Sequence, residues 1–159
     1  MEYWPLLENP KGNVYRRLMQ VLCANSDRFY FITHRDFDYN HAILEEFKPY
    51  CIEICRTNKW GSTQYGGAAP TIYIIEAKQY TCKLLQDSAD SLYDWNYPLP
   101  EDLTFLKNGY TWFVSISHEK VGGFYIYTDH QRDLLKQIPG IIIEKAEIDY
   151  KKPYFIDTY

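Results

Sequence analysis

Two groups of residues in this chain have the types and spacing to do chemistry. One is His118-Glu119, an imidazole beside a carboxylate at the end of the run Trp112-Phe113-Val114-Ser115-Ile116-Ser117. Histidine titrates near neutral pH, so such a pair suits general acid–base work. The other is His34, Asp36 and Asp38, which follow the run Arg28-Phe29-Tyr30-Phe31-Ile32-Thr33. Loops after strands often carry functional groups, and this trio has the donor types of a metal or acid–base cluster.

Both groups also have ordinary explanations. Asp38 and Asn40 stand where they would cap a helix beginning at His41. His118-Glu119 stands where a turn between strands would put polar residues. Ser115 and Ser117 are read on the strand face opposite Trp112, Val114 and Ile116, and neither lies in a Gly-x-Ser-x-Gly elbow. His34, His41, His118 and His130 are scattered without His-x-x-x-His spacing, so no metal is expected. His34-Arg35-Asp36 matches the start of a kinase catalytic loop but lacks every other kinase part. The loop Gly61-Ser62-Thr63-Gln64-Tyr65-Gly66-Gly67 lacks the Gly-Lys-Ser/Thr ending of a phosphate loop. No cofactor is expected.

The elements that must position these residues follow from hydrophobic periodicity. Residues 1–13, with Pro5, Pro10 and Gly12, read as an irregular lead-in. A helix is expected at about 14–25, capped by Asn13, and a strand at 28–34. A short helix at 41–47 ends at Pro49, and a strand follows at 50–58. Residues 60–70 are the clearest loop, and 71–76 a strand. The spacing of Leu85, Ala89, Leu92 and Trp95 predicts one helix from about 78 to 95, stopped by Pro98 and Pro100. Residues 101–109 read as an acidic turn region ending in the hairpin signal Asn108-Gly109. Strands are expected at 110–117 and 122–128, a helix capped by Asp129 at 129–138, a last strand at 141–148, and a surface extension over 149–159. Adjacent strands without an intervening helix favour a single α+β domain over 1–159, with a mixed or mainly antiparallel sheet and helices packed on it.

Composition narrows the function classes. The chain has 159 residues and a net charge of −4. That acidic balance argues against a nucleic-acid binder and is compatible with a basic protein partner. Tyr is unusually frequent, at 16 residues. Its ring packs while its hydroxyl hydrogen-bonds, which suits the rim of a core or a recognition surface. Cys23, Cys51, Cys55 and Cys82 form no Cys-x-x-Cys pair. Cys51 and Cys55 would share one strand face about 13 Å apart, too far for a disulfide. All four read as small buried hydrophobes in a reducing compartment. No stretch approaches the ~18 apolar residues of a membrane span. Met1-Glu2-Tyr3-Trp4-Pro5 lacks the basic start and apolar run of a signal peptide, so a cytoplasmic location is expected.

The segments Ser91-Leu92-Tyr93-Asp94-Trp95, Pro98-Leu99-Pro100-Glu101-Asp102-Leu103-Thr104-Phe105 and Trp112-Phe113-Val114-Ser115-Ile116-Ser117-His118-Glu119, with Trp60-Gly61-Ser62-Thr63, resemble a family of small uncharacterised proteins of Gram-positive bacteria. Members of that family are often labelled "stage III sporulation protein AH". The resemblance implies no activity and no catalytic residue. In composition alone, the chain also resembles immunity proteins of bacterial toxins. The expectation is therefore a non-enzymatic cytosolic protein-binding module, of the kind that inhibits a basic toxin, with Trp60, Tyr65, Tyr93 and Trp95 as its contact residues. The alternatives are a small enzyme using His118 and Glu119 or His34, Asp36 and Asp38, and a structural domain or oligomer subunit.

Overall fold

A computed structural model describes residues 1–147 and 152–154. In chain order the strands are Glu2–Pro5 (β1), Arg28–Thr33 (β2), Cys51–Arg56 (β3), Lys59–Trp60 (β4), Thr63–Gln64 (β5), Thr71–Glu76 (β6), Glu101–Lys107 (β7), Tyr110–Ile116 (β8) and Val121–Ile126 (β9). The helices are Asn13–Ala24 (α1), His41–Phe47 (α2), Gln79–Ser88 (α3) and Asp129–Leu134 (α4). Seven strands form one sheet in the order β1-β9-β8-β7-β2-β6-β3, and each described pairing is antiparallel. The chain is thus an α+β domain with a mainly antiparallel sheet, as the strand spacing predicts.

Alternation within the strands gives the sheet two buried faces. On β2, Phe29 and Phe31 turn toward the helices, while Tyr30 and Ile32 turn the other way. On β6, Tyr73 and Ile75 face the helices, and Ile72 and Ile74 the opposite side. The helix-side core is the larger. It holds Tyr15, Leu18, Met19 and Leu22 of α1 and Leu84 and Leu85 of α3. The smaller core lies under the β4–β5 hairpin, whose Trp60 covers Tyr30, Ile32, Ile72, Ile74 and Leu106.

Several local expectations differ from what forms. Residues 2–5 are not a lead-in but β1, the end strand in the sheet order, a position that tolerates Pro5 although it has no N–H to give a ladder. Gly12, with φ 56°, precedes the first helix, and Asn13 lies within it. The helix beginning near 78 ends at Ser88, well short of Trp95. The Asp94 carboxylate accepts the backbone N–H groups of Asp90 and Ser91, both at 3.0 Å, and so closes a separate 3-10 turn over Leu92–Asp94. The expected acidic turn at 101–109 is instead mostly β7, a central strand paired with β2 and β8. Only its end behaves as read: Asn108 and Gly109, with φ 51° and 79°, make the two-residue hairpin turn into β8.

Thr128, not Asp129, caps α4. The strand expected at 141–148 is reduced, among the described residues, to one bridge between Ile143 and Leu6. Apart from residues 152–154, the expected extension over 149–159 lies outside the described residues. A bulge between Cys51 and Glu53 reverses the side-chain order of β3. Cys51 packs with the helix-side core and Cys55 with the smaller one, so the two thiols do not share a face.

Trp95 anchors the helix side. It is fully buried, stacks on Phe31 at 6.1 Å and donates from Nε1 to the Tyr15 hydroxyl at 2.7 Å. Tyr15 in turn donates to the Leu85 carbonyl, so a single relay joins the 3-10 turn, α1 and α3. Trp95→Ala is expected to lower the unfolding free energy by about 3–5 kcal/mol, as large aromatic truncations in cores do. A urea titration checks this, and a loss under about 1 kcal/mol would mean that the relay does not hold the core.

Candidate functional site

One end of the sheet gathers most of the residues with chemical interest. The chain leaves β2 at Thr33, turns through residues 34–40 and enters α2. Asn40 caps that helix, its side chain accepting from the Ile43 N–H at 3.2 Å. Its own N–H donates to the Pro98 carbonyl at 2.9 Å, which ties the loop to the turn before β7. The His34 N–H donates to the Tyr39 hydroxyl at 3.1 Å. Tyr39 donates onward to Glu101 Oε2.

The next residue, Asp102, makes the second half of the site. It lies where β7 bulges against β2 and has φ 61°, a left-handed conformation costly for a non-glycine residue. The bulge sets its carboxylate between two donors. Trp60 Nε1 donates to Oδ2 at 3.0 Å, and the Ser117 N–H donates to Oδ1 at 3.0 Å. Asp102 therefore joins the β4–β5 hairpin to the end of β8. Burial pushes its carboxyl above the ordinary aspartate value, the hydrogen bonds from Trp60 and Ser117 oppose that shift, and the nearby His118 also favours the charged form. Burial, followed by the Glu101 carboxylate, pushes the Tyr39 hydroxyl up, which keeps it a donor.

Two glycines let the hairpin approach. Gly61, at φ 51°, lies so close to the sheet that a Cβ there would meet Val114 Cγ1 at 3.0 Å. Its N–H donates to the Tyr30 hydroxyl at 2.7 Å, and its carbonyl accepts from the Tyr154 N–H at 2.7 Å. At Gly67 a Cβ would lie 2.7 Å from the Tyr65 ring, so only glycine lets that ring fold back over the loop. Asn58 closes the loop by accepting from the Tyr65 N–H and donating to the Gly67 carbonyl, both at 2.8 Å. The glycine-rich stretch, which reads as a connector, is thus a built support for Trp60 and Tyr65.

The result is a continuous row of rings. Trp60 and Tyr65 lie 6.1 and 5.0 Å from His34, and Phe37 lies 6.3 Å from it. Phe37 then meets Tyr97 at 5.3 Å, and Tyr97 meets Tyr39 at 5.4 Å. Trp60 and Tyr39 are buried and held by the two adjacent carboxylates. Phe37 is 55% exposed, Tyr97 48% and Tyr65 40%.

The candidate residues read from sequence divide accordingly. His34, Trp60 and Tyr65 come together here. Asp36 and Asp38 are exposed, and Asp38 pairs with His41 at 3.0 Å across one turn. His118 and Glu119 lie 3.8 Å apart, more than half exposed, on the 3-10 turn after β8, with His118 near Asp102. Tyr93 is half-buried against the helix-side core, and Trp95 is inside it, so Trp95 offers no contact surface. Phe37, Tyr39, Tyr97, Glu101 and Asp102 were not among the candidates, although Glu101-Asp102 beside Trp/Tyr-rich segments was a visible signal. Among the described residues, no group of three or more His, Cys, Asp or Glu could hold a metal ion, and no helix is long and apolar enough to cross a membrane.

Comparison with known protein families, curated proteins and solved structures finds no match.

Removing the Asp102 carboxylate leaves two buried donors unpaired, which costs roughly 1–3 kcal/mol for each. Asp102→Ala should therefore destabilise the fold and shift Trp60 emission to the red. The raised carboxyl gives a second expectation. Its folded value lies above the unfolded one, so its contribution to stability is complete below about pH 4 and is lost as pH rises through the folded value. Asp102→Asn, which cannot titrate, should lose less stability than the parent between pH 4 and pH 7. Urea midpoints at the two pH values test this, and equal pH dependence in both proteins would contradict it.

Proposed function

We propose that this chain is a non-enzymatic protein-binding module that docks a basic protein on the row of rings formed by Phe37, Tyr65 and Tyr97. The observation that carries this reading is the pairing of exposed rings with buried ones fixed by Asp102 and Glu101. Rings held this way lose little conformational freedom on binding, and aromatic anchors dominate binding energy at many interfaces. Exposed aromatic faces also attract Arg and Lys side chains. Asp36 and Asp38 flank Phe37, with Arg35 as the opposing charge in that loop, and the whole chain carries −4. That balance favours a basic partner.

The same reading argues against a catalytic use of the two carboxylates. Asp102 has both oxygens engaged by Trp60 and Ser117, and Glu101 accepts from Tyr39. The chemistry is that of a rigid support. An inhibitor of a basic toxin, acting in the cytoplasm, fits these features and the compositional likeness to immunity proteins; the resemblance carried by residues 91–119 points to a Gram-positive bacterium and implies no activity. Four free cysteines suit that compartment.

The test is affinity capture from the source cells at low salt, with the parent chain and a Phe37→Ala/Tyr97→Ala variant side by side. The expected outcome is a basic protein retained by the parent, released by moderate salt, and bound at least tenfold more weakly by the variant. Equal retention by both chains, or an acidic protein held without salt dependence, would overturn the proposal.

A further inference from the structure

The end of β7 far from Glu101-Asp102 borders a cavity that the aromatic row does not use. It lies between the end of α1, the β7–β8 turn, the residues that follow β9, and α4, and has a volume of about 710 Å³. Pockets for small ligands are of that size, roughly 300–1,000 Å³. Two rings line it. Tyr110 and Tyr127 lie 5.4 Å apart, and Tyr110 is 62% exposed. Tyr127 is fixed from two sides. Its hydroxyl donates to the Thr111 carbonyl at 3.2 Å, and its N–H donates to Gln131 Oε1 at 2.8 Å.

The polar lining is mostly amide, with hydrogen-bonding capacity to spare. Gln131 is oriented by that bond through its oxygen, and its Nε2 has no partner among the described residues. Asn25 is the converse: Nδ2 donates to the Val21 carbonyl at 2.8 Å, which leaves Oδ1 as an acceptor. The Asn108 backbone is held by its N–H to Asp27 Oδ2 at 2.6 Å, while its side-chain amide engages nothing among the described residues. Lys107 and His130 complete the set. Lys107 Nζ meets Asp27 Oδ1 at 3.1 Å and keeps further N–H donors. The chain carries −4, yet no carboxylate is among the described residues that line this cavity.

We infer that the cavity binds an adenine mononucleotide. The base lies on Tyr110 and Tyr127, since aromatic side chains stack on the faces of bases. Gln131, Asn25 and Asn108 offer donors and acceptors to its edge, and paired amide donors and acceptors are what adenine accepts from Asn and Gln side chains. The phosphate goes to the Lys107 ammonium and the His130 imidazole. A purely apolar ligand would leave the amides unpaired, and a small anion would leave the rings uncovered. The inference is independent of the docking of a basic protein, because no residue of the cavity belongs to the row of rings.

The experiment is calorimetric titration of the full chain with adenosine 5′-monophosphate, adenosine and ribose 5-phosphate. The expected outcome is saturable one-to-one binding of the nucleotide, weaker binding of adenosine, and no binding of ribose 5-phosphate at the same concentrations. Tyr110→Ala, at an exposed position where truncation leaves the core intact, should weaken nucleotide binding about tenfold or more. Phe37→Ala/Tyr97→Ala should bind the nucleotide as the parent does, which separates this site from the protein-docking surface. Absence of saturable nucleotide binding, adenosine or ribose 5-phosphate bound as tightly as the nucleotide, or an unchanged affinity in Tyr110→Ala would overturn the inference.

Discussion

The Asp102 carboxylate is the interaction on which the binding end of the molecule depends. It is buried, it sits on a strained backbone, and each of its oxygens answers a donor from a different part of the chain. Burying a carboxylate is costly unless it is hydrogen-bonded. Here the cost is offset by donors that have no other acceptor. The indole N–H of Trp60 would be unpaired under its own hairpin, and the Ser117 N–H would be unpaired where β8 ends. One residue thus satisfies two groups whose elements have no backbone pairing with each other.

Glu101 repeats the device at the start of the same strand. Its partner is Tyr39, which also accepts from the His34 N–H, so a side chain reinforces the loop after β2 beside the backbone bond from Asn40 to Pro98. Asp102 leaves the extended conformation at the bulge, and the two neighbouring carboxylates hold two separate elements, the hairpin through Trp60 and the loop through Tyr39. Both buried rings carry exposed neighbours, so the geometry of the surface is inherited from the first two residues of β7.

This explains what was legible in the sequence and what was not. Strands with strict alternation, such as β2 and β6, and the Asn108-Gly109 turn have signals that lie within a few residues of one another. The α+β class follows from their order. β7 fails that test because it begins with Glu101-Asp102, and two successive carboxylates look like a turn. The donors that make them tolerable in a central strand are Tyr39, Trp60 and Ser117, each far away or on another element. The end of α3 is hidden for the opposite reason. Leu92 and Trp95 keep helical spacing and do reach the core, but Asp94 captures the N–H groups of Asp90 and Ser91 and breaks the helix between them. At the site, His34, Trp60 and Tyr65 were readable as single residues. Their convergence was not, because it depends on the hairpin folding over the sheet.

The abundance of aromatic residues takes on a different meaning once each polar atom is traced. Trp95 and Trp112 are buried and direct their indole N–H groups to Tyr15 and Ser26, which are core partners. Trp60 is equally buried, but its N–H goes to Asp102, the residue that also fixes the end of β8. Burial alone therefore does not separate a core ring from a ring that supports a surface; the partner of its polar atom does. A ring whose donor ends on a core hydroxyl only fills volume and closes a hydrogen bond. A ring whose donor ends on a strained, buried carboxylate at the edge of an exposed aromatic row transmits that rigidity outward, to His34 and Tyr65. By that criterion Trp60 belongs to the surface, and Trp95, despite its place beside the most distinctive motif in the chain, belongs to the core.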